Sequence, residues 1–311
     1  MKTAYKILCG VLALIIAATS CNDNTRRADL DRLDHRLAAD SLDAGSRRAA
    51  ELLFRLSGYG ELTDSSLAAY NSMPSIAYHR AAVDSAFADI TPEREALGAV
   101  YSKLSKLLPD VRIPDTYTII SPFNQSVISA DSVLFIGLNH YLGPDYSAYA
   151  YFPEYIRQRK SRDRLPIDVA EALVRINRPF ATDDTSPALL SRLIYEGAVT
   201  MAVTEATDID MAKALGYSAA DMQQLREHEG ALWRALLERN LVYTTDPAVI
   251  RQILSPVPAT SGFGAGLPGN IGRYIGSQMV SCYMKHNRSA SLDSILTSSP
   301  NPTTFLRDSG Y

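Results

Sequence analysis

The chain has 311 residues, 46% hydrophobic and 21% charged, with 31 lysines and arginines against 34 aspartates and glutamates and a formal net charge of −3. That composition is globular, and its slight acidity argues against a nucleic-acid partner and against an electrostatic grip on anionic lipid. With only 3 cysteines, two of them at Cys9 and Cys21, a disulfide framework is excluded and the fold must be held by its core.

Lys2 and Lys6 flank the start of an apolar run from Ile7 to Ala18, which closes on Thr19, Ser20 and Cys21. A basic start, a short apolar stretch and small residues before a cysteine predict a secretory signal peptide over residues 1–20. The run is shorter than the roughly 20 residues that span a bilayer. No later segment reaches that length without charges, so no integral membrane helix is expected. Cleavage before Cys21 makes that cysteine the expected lipid attachment, with palmitate-like acyl chains adding about 0.8 kcal/mol of membrane affinity per buried methylene. The mature chain then has 29 basic and 34 acidic residues, because Lys2 and Lys6 leave with the signal, for a net charge of −5. The expected address is the cell envelope, on a membrane through the N-terminal lipid. Cys282 lies on a helical stripe with Ile275 and Met279 and reads as a small core residue.

Residues 21–28 form a short lipidated tether. Leu30, Leu33 and Leu37 recur at helical spacing, as do Ala49, Leu52, Leu53 and Leu56 ahead of Gly58 and Gly60. Thr91 and Pro92 open a third helix, a cap followed by proline at the first helical position, striped by Leu97, Val100, Leu104 and Leu107 and stopped by Pro109. Two β-type runs follow, Tyr117 to Ile120 and Val133 to Ile136, which fit a hairpin or adjacent strands. From about residue 166 the pattern is helical again. Ser186 and Pro187 open a helix carrying Leu189, Leu193 and Met201. Ser218 with Asp221 forms a capping box for a helix reaching about Asn240. Asp246 and Pro247 open the next helix, and after a Gly/Pro-rich loop from Ser255 to Asn270 the last substantial helix runs from Ile271 to about Asn287. The expected fold is mainly α with a small β-sheet, an α+β domain over residues 29–311. The glycines between Ser261 and Gly266 lack the Lys-Ser/Thr of a phosphate loop and follow a helix rather than a strand, so no nucleotide cofactor is expected.

Three acids fall on apolar helix faces: Glu171 between Ile167 and Val174, Glu196 with Leu189, Leu193 and Val203, and Glu229 with Leu225, Leu232 and Leu236. A buried carboxylate needs a partner or it shifts toward neutrality. The favoured reading is a set of buried ion pairs with Arg273 or Arg251; the competing one is a polar pocket that binds something. Tyr141, Tyr146, Tyr149, Tyr151 and Tyr155, with Phe152, crowd one short stretch, suited to packing an irregular loop and also to binding a peptide, glycan or protein. His140 beside them reads as a hydrogen-bonded edge residue. The basic run from Arg157 to Arg164 reads as a solvated face, with an acidic partner as the alternative.

Six runs in order carry a family resemblance: Leu33-Asp34, Ile136 to Gly143, Pro153 to Ile156, Glu229 to Trp233, Tyr243 to Asp246, and Ile271 to Gly276. Together, behind a lipoprotein signal, they resemble the gliding-motility lipoproteins of the GldB type from Bacteroidetes. The resemblance covers nearly all of residues 29–311. It implies an envelope lipoprotein that works through protein partners in a surface, gliding or secretion machine. That family is in turn distantly similar to predicted zinc proteases with an H-E-x-x-H helix, which implies a zincin-like body. On that likeness the two zinc histidines should stand where this chain has Ala170 and Val174, Glu171 holds the place of the general base, and Glu196 that of the third ligand. Neither alanine nor valine offers a lone pair to zinc. The resemblance therefore implies a degenerate zincin, a pseudoenzyme with no metal and no cofactor. The alternatives are a divergent hydrolase or metallopeptidase, and a peptide- or glycan-binding lipoprotein.

Overall fold

The structure, a computed structural model, describes residues 28–182, 184–256 and 267–311. The signal peptide, Cys21, nearly all of the tether and the glycine run from Ser261 to Gly266 lie outside the described residues. The architecture is mainly helical with a small mixed sheet, as expected, but the sheet has four strands rather than the two expected runs, and Leu30 lies on a strand rather than on the helix of Leu33 and Leu37.

Strand β1 (Leu30–Asp31) leads into α1 (Leu33–Ala39) and α2 (Ala44–Leu56). Leu30, Leu33 and Leu37 are fully buried. Asp43 caps α2, its Oδ1 accepting from the Ser46 N–H at 2.9 Å. Two helices that the apolar pattern does not reveal follow, α3 (Asp64–Ser72) and α4 (Pro74–Ala86). Their cores are thin, Leu67 and Tyr70 in one and Ile76 and Val83 in the other, so no stripe stands out. A capping box of Thr63 and Ser66 and the N-terminal Pro74 start them instead. Helix α5 (Thr91–Leu107) buries Leu97, Val100 and Leu104 as expected, but Thr91 is its first residue and not its cap, a position held by Ile90 without a side-chain hydrogen bond.

The sheet order is β1-β2-β4-β3, with β2 (Asp115–Ile119), β3 (Val127–Ala130) and β4 (Val133–Gly137). The two β-type runs are adjacent strands, but β2 and β4 are parallel, with Thr116 opposite Leu134 and Thr118 opposite Ile136. The hairpin is β3 with β4, turning through Asp131 at φ 51°. Strand β1 joins parallel to β2 after the crossover through α1–α5. Leu134, Phe135 and Ile136 are fully buried, which gives β4 a continuous apolar run rather than an alternation.

The C-terminal half comprises α6 (Glu154–Arg157), α7 (Leu165–Asn177), α8 (Leu189–Thr207), α9 (Met211–Leu215), α10 (Ala219–Glu238), α11 (Pro247–Leu254), α12 (Ile271–His286), α13 (Leu292–Ser298) and α14 (Pro302–Ser309). The Ser218–Asp221 box closes both ways at the start of α10, at 3.1 and 2.9 Å. One large apolar cluster joins the sheet, α1–α5 and α7 to one side of α8 and α12; a second joins α9–α11 to their other side. Helices α8 and α12 approach each other backbone to backbone. A methyl on Gly276 would lie 1.9 Å from the Leu193 carbonyl oxygen, and one on Gly197 would lie 2.1 Å from the Gly276 carbonyl carbon. Only glycine permits that contact. No helix among the described residues is long and apolar enough to cross a membrane.

Candidate functional site: a closed charge cluster beside a basic cavity

The α8–α12 approach places Arg273, one turn before Gly276, across α8 and against α7. Its Nη1 and Nη2 donate to Glu171 Oε2 at 3.3 and 3.2 Å, and its Nε donates to Thr200 Oγ1 at 3.0 Å and lies 3.5 Å from Glu196 Oε2. Arg175, one turn beyond Glu171 on α7, closes the cluster. It donates to Glu171 Oε1 from Nε and Nη2 at 3.1 and 2.9 Å, and to both oxygens of Glu196 at 2.9 and 2.6 Å. Two carboxylates thus share two guanidiniums. Burial by itself would raise the Glu171 carboxyl, but Arg273 and Arg175 outweigh it and hold the group well below the usual carboxylate range. Burial opposes the charge on Arg175 too, yet Glu196 and Glu171 hold its pKa above the ordinary value.

This is the ion-paired arrangement rather than an open acid pair. Arg273 is one of the partners expected from sequence, whereas Arg251 is exposed on α11. Arg175 is the partner the sequence reading omitted, although its i+4 spacing from Glu171 is a recognised ion-pair signal. Ala170 and Val174 are fully buried in the core of α7. The donor set does not fit zinc: those two positions have no lone pair, and both carboxylates are engaged by guanidiniums. Among the described residues, Asp34, His35 and Asp84 also come together. There Arg32 Nη2 already stands 2.7 Å from Asp34 Oδ2 and 2.6 Å from His35 Nε2, which leaves a cation in the position a metal would take.

In front of α7 lies a cavity of about 490 Å³, lined among others by His140, Arg159, Lys160, Asp168, Glu171 and Arg175. Asp168 accepts from Arg164 Nε at 2.9 Å and from the Tyr141 hydroxyl at 3.0 Å. His140 Nε2–H donates to the Phe123 carbonyl at 3.1 Å, since a carbonyl can only accept; its Nδ1 therefore receives Lys160 Nζ at 3.0 Å. Burial, with Lys160 nearby, lowers the His140 pKa to about 4. Lys160 Nζ also stands 5.0 Å over the Tyr149 ring and 4.8 Å over Phe152.

The expectation of a solvated basic face from Arg157 to Arg164 is therefore wrong. Arg164 is only 4% exposed, Arg162 is bound to the buried Glu93, and Arg159 and Lys160 line the cavity. Glu93, 69 positions away on α5, holds Arg162, while Asp168 holds Arg164 at the i,i+4 spacing of a local helical pair.

The tyrosines divide between packing and surface. Tyr141 and Tyr149 are buried, and the Tyr149 hydroxyl donates to the Asn139 carbonyl. Tyr146 meets His79 Nδ1 at 3.0 Å, and Tyr155 lines a neighbouring cavity that Arg159 also borders. Tyr151 is 78% exposed, its ring 4.2 Å from that of Phe152. Glu229 does not form the ion pair expected of it: half-buried, it accepts instead from the hydroxyls of Tyr274 at 2.6 Å and Tyr311 at 3.0 Å. Cys282 is free and half-buried on α12.

No curated protein and no solved structure matches the chain. A family model described as gliding motility protein GldB matches residues 41–311. That span holds the sheet's three longer strands, the charge cluster and the cavity, and the chain belongs to the GldB gliding motility protein family.

Proposed function

We propose that the protein is a lipid-anchored, non-enzymatic component of the cell envelope, carried on Cys21 and acting through protein contacts in a gliding- or secretion-associated machine. Family membership supports the setting. The observation that carries the non-enzymatic part is the closure of the Glu171–Arg175–Glu196–Arg273 cluster. A general base must be able to take a proton near neutral pH. Glu171 is held well below the usual carboxylate range and has both oxygens engaged, so it is a poor base and an unavailable ligand. The zincin-like ancestry is part of this proposal. On it, Arg175 and Arg273 supply as fixed positive charge what a metal would supply elsewhere, and the cluster serves the packing of α7, α8 and α12.

The test has two readouts on the mature protein. Zinc content is measured after purification without chelator and dialysis, and Glu171→Gln is introduced at the native locus. The expected result is zinc far below one equivalent per chain, with cellular function lost only in proportion to lost folded protein. About one equivalent of retained zinc, or a well-folded Glu171→Gln protein at normal abundance with no function, would overturn the proposal.

A further inference from the structure

The charges around the cavity do not balance. Arg159, Lys160, Arg164, Arg175 and Arg273 gather there against Asp168, Glu171 and Glu196. Asp168 is taken by Arg164, and the two glutamates by Arg175 and Arg273. Two adjacent cations, Arg159 and Lys160, are left with no carboxylate in contact. Among the described residues the Arg159 guanidinium makes no hydrogen bond and no contact ion pair. Its stem lies flat against Gly216, where an added methyl would stand 3.4 Å from Cγ, Cδ and Nε, so its direction is fixed by packing. Burial and the neighbouring Arg164 push its pKa down to about 10 against the weaker pull of Asp168 and Glu171, and burial lowers that of Lys160 against the pull of Asp168. Lys160 is oriented by His140 and by two aromatic rings, none of which carries negative charge at neutral pH.

A protein that is acidic overall thus concentrates, in one half-buried hollow, two cations that no described carboxylate contacts and that Asp168 and Glu171 only partly offset. Burying a cation without a counter-charge is costly. The arrangement is that of a site prepared for an anion: a planar guanidinium whose donors meet no partner among the described residues, a point charge beside it, and Asn124 and Gln125 also in the lining. A volume of about 490 Å³ exceeds what an inorganic ion needs and falls within the range of small-molecule sites. The excess positive charge disfavours a metal cation.

We propose that this cavity binds the oxyanion group, phosphate or carboxylate, of a small soluble ligand, gripped by Arg159 and Lys160. The site is separate from the protein contacts proposed above and does not depend on them.

The experiment uses the purified mature protein in detergent and follows thermal unfolding with inorganic phosphate or acetate, each against chloride at matched ionic strength. At a hundredfold excess over Kd, linkage predicts a rise of about 5–10 °C. Arg159→Gln and Lys160→Gln should each weaken the phosphate or acetate response at least tenfold in concentration. The exposed-site control Arg307→Gln should leave it unchanged. In buffer free of both anions, Arg159→Gln should melt no lower than the parent, because a half-buried cation with no carboxylate in contact has been removed. A response to either anion that both variants lose supports the site. Equal responses to phosphate, acetate and chloride would overturn it, as would a phosphate response that persists in both variants.

Discussion

Replacing Arg273 with methionine tests the charge cluster most directly. Methionine keeps much of the apolar stem's packing and removes only the guanidinium. The side chain is 7% exposed and serves Glu171, Thr200 and Glu196, while Arg175, the remaining cation, is 34% exposed. Two carboxylates would then share one guanidinium, leaving a half-buried negative charge unpaired and Thr200 without its donor. Breaking a buried pair from one side costs about 3–5 kcal/mol. For a domain of this size that is a fall in Tm of roughly 6–20 °C, readable by circular dichroism or calorimetry. The loss should depend on pH with a definite sign. In the parent, Glu171 is depressed below its unfolded value, so its contribution is fully present above the unfolded pKa of about 4.3 and disappears as pH falls toward the folded value. In Arg273→Met that depression is smaller, so the gap between the two proteins should be widest near neutrality and narrow below about pH 4. Adding Glu171→Gln to the variant should recover part of the loss, because the uncompensated charge is gone. A Tm within about 2 °C of the parent, or a double variant that loses the full sum of the two single effects, would refute the reasoning.

Gly276→Ala should cost at least the ~3 kcal/mol at the upper end of overpacking, since its methyl meets the Leu193 carbonyl at 1.9 Å. Gly230→Ala on α10, with nothing within 4 Å, should instead gain about 0.5–1 kcal/mol in urea unfolding. The folded-state pKa of His140 lies at about 4, below the unfolded value, so stability is present above about pH 6.5 and is lost as pH falls toward 4. His140→Gln should flatten that decline, by on the order of 2–3 kcal/mol between pH 6.5 and 4; an unchanged slope would mean the imidazole is not held neutral. Cys21→Ser should move the protein from the membrane pellet to the soluble envelope fraction while its melting curve stays the same. Retention in the pellet would exclude lipid on that residue as the anchor.

Features governed by chemistry within one helical turn were legible in the chain itself. The Ser218–Asp221 box, the cap at Asp246 and the apolar periods of α5, α8, α10 and α12 lie where their spacing places them, while the starts of α5 and α8 fall at Thr91 and Leu189 without the caps expected at Thr91 and Ser186. Glu171 and Glu196 announced themselves as charges on apolar stripes, and that alone required partners. Which partners they have was decided by tertiary structure, because the answer depends on two glycines 79 positions apart, Gly197 and Gly276, letting α8 and α12 touch and carry Arg273 to Glu171. Helices α3 and α4 escaped notice because each buries only two core side chains, too few to mark a period. The parallel pairing of β2 with β4 is set by a neighbour in space, and β3 is half-buried and short. The run from Arg157 to Arg164 shows the limit most clearly: solvent exposure is the default for five cations in eight residues, Arg164 has a local partner four residues on in Asp168, and only the distant acid Glu93 holds Arg162. Local hydrogen bonding and hydrophobic period are properties of the sequence; the neutralisation of charge is a property of which surfaces the fold brings within 3–4 Å of one another.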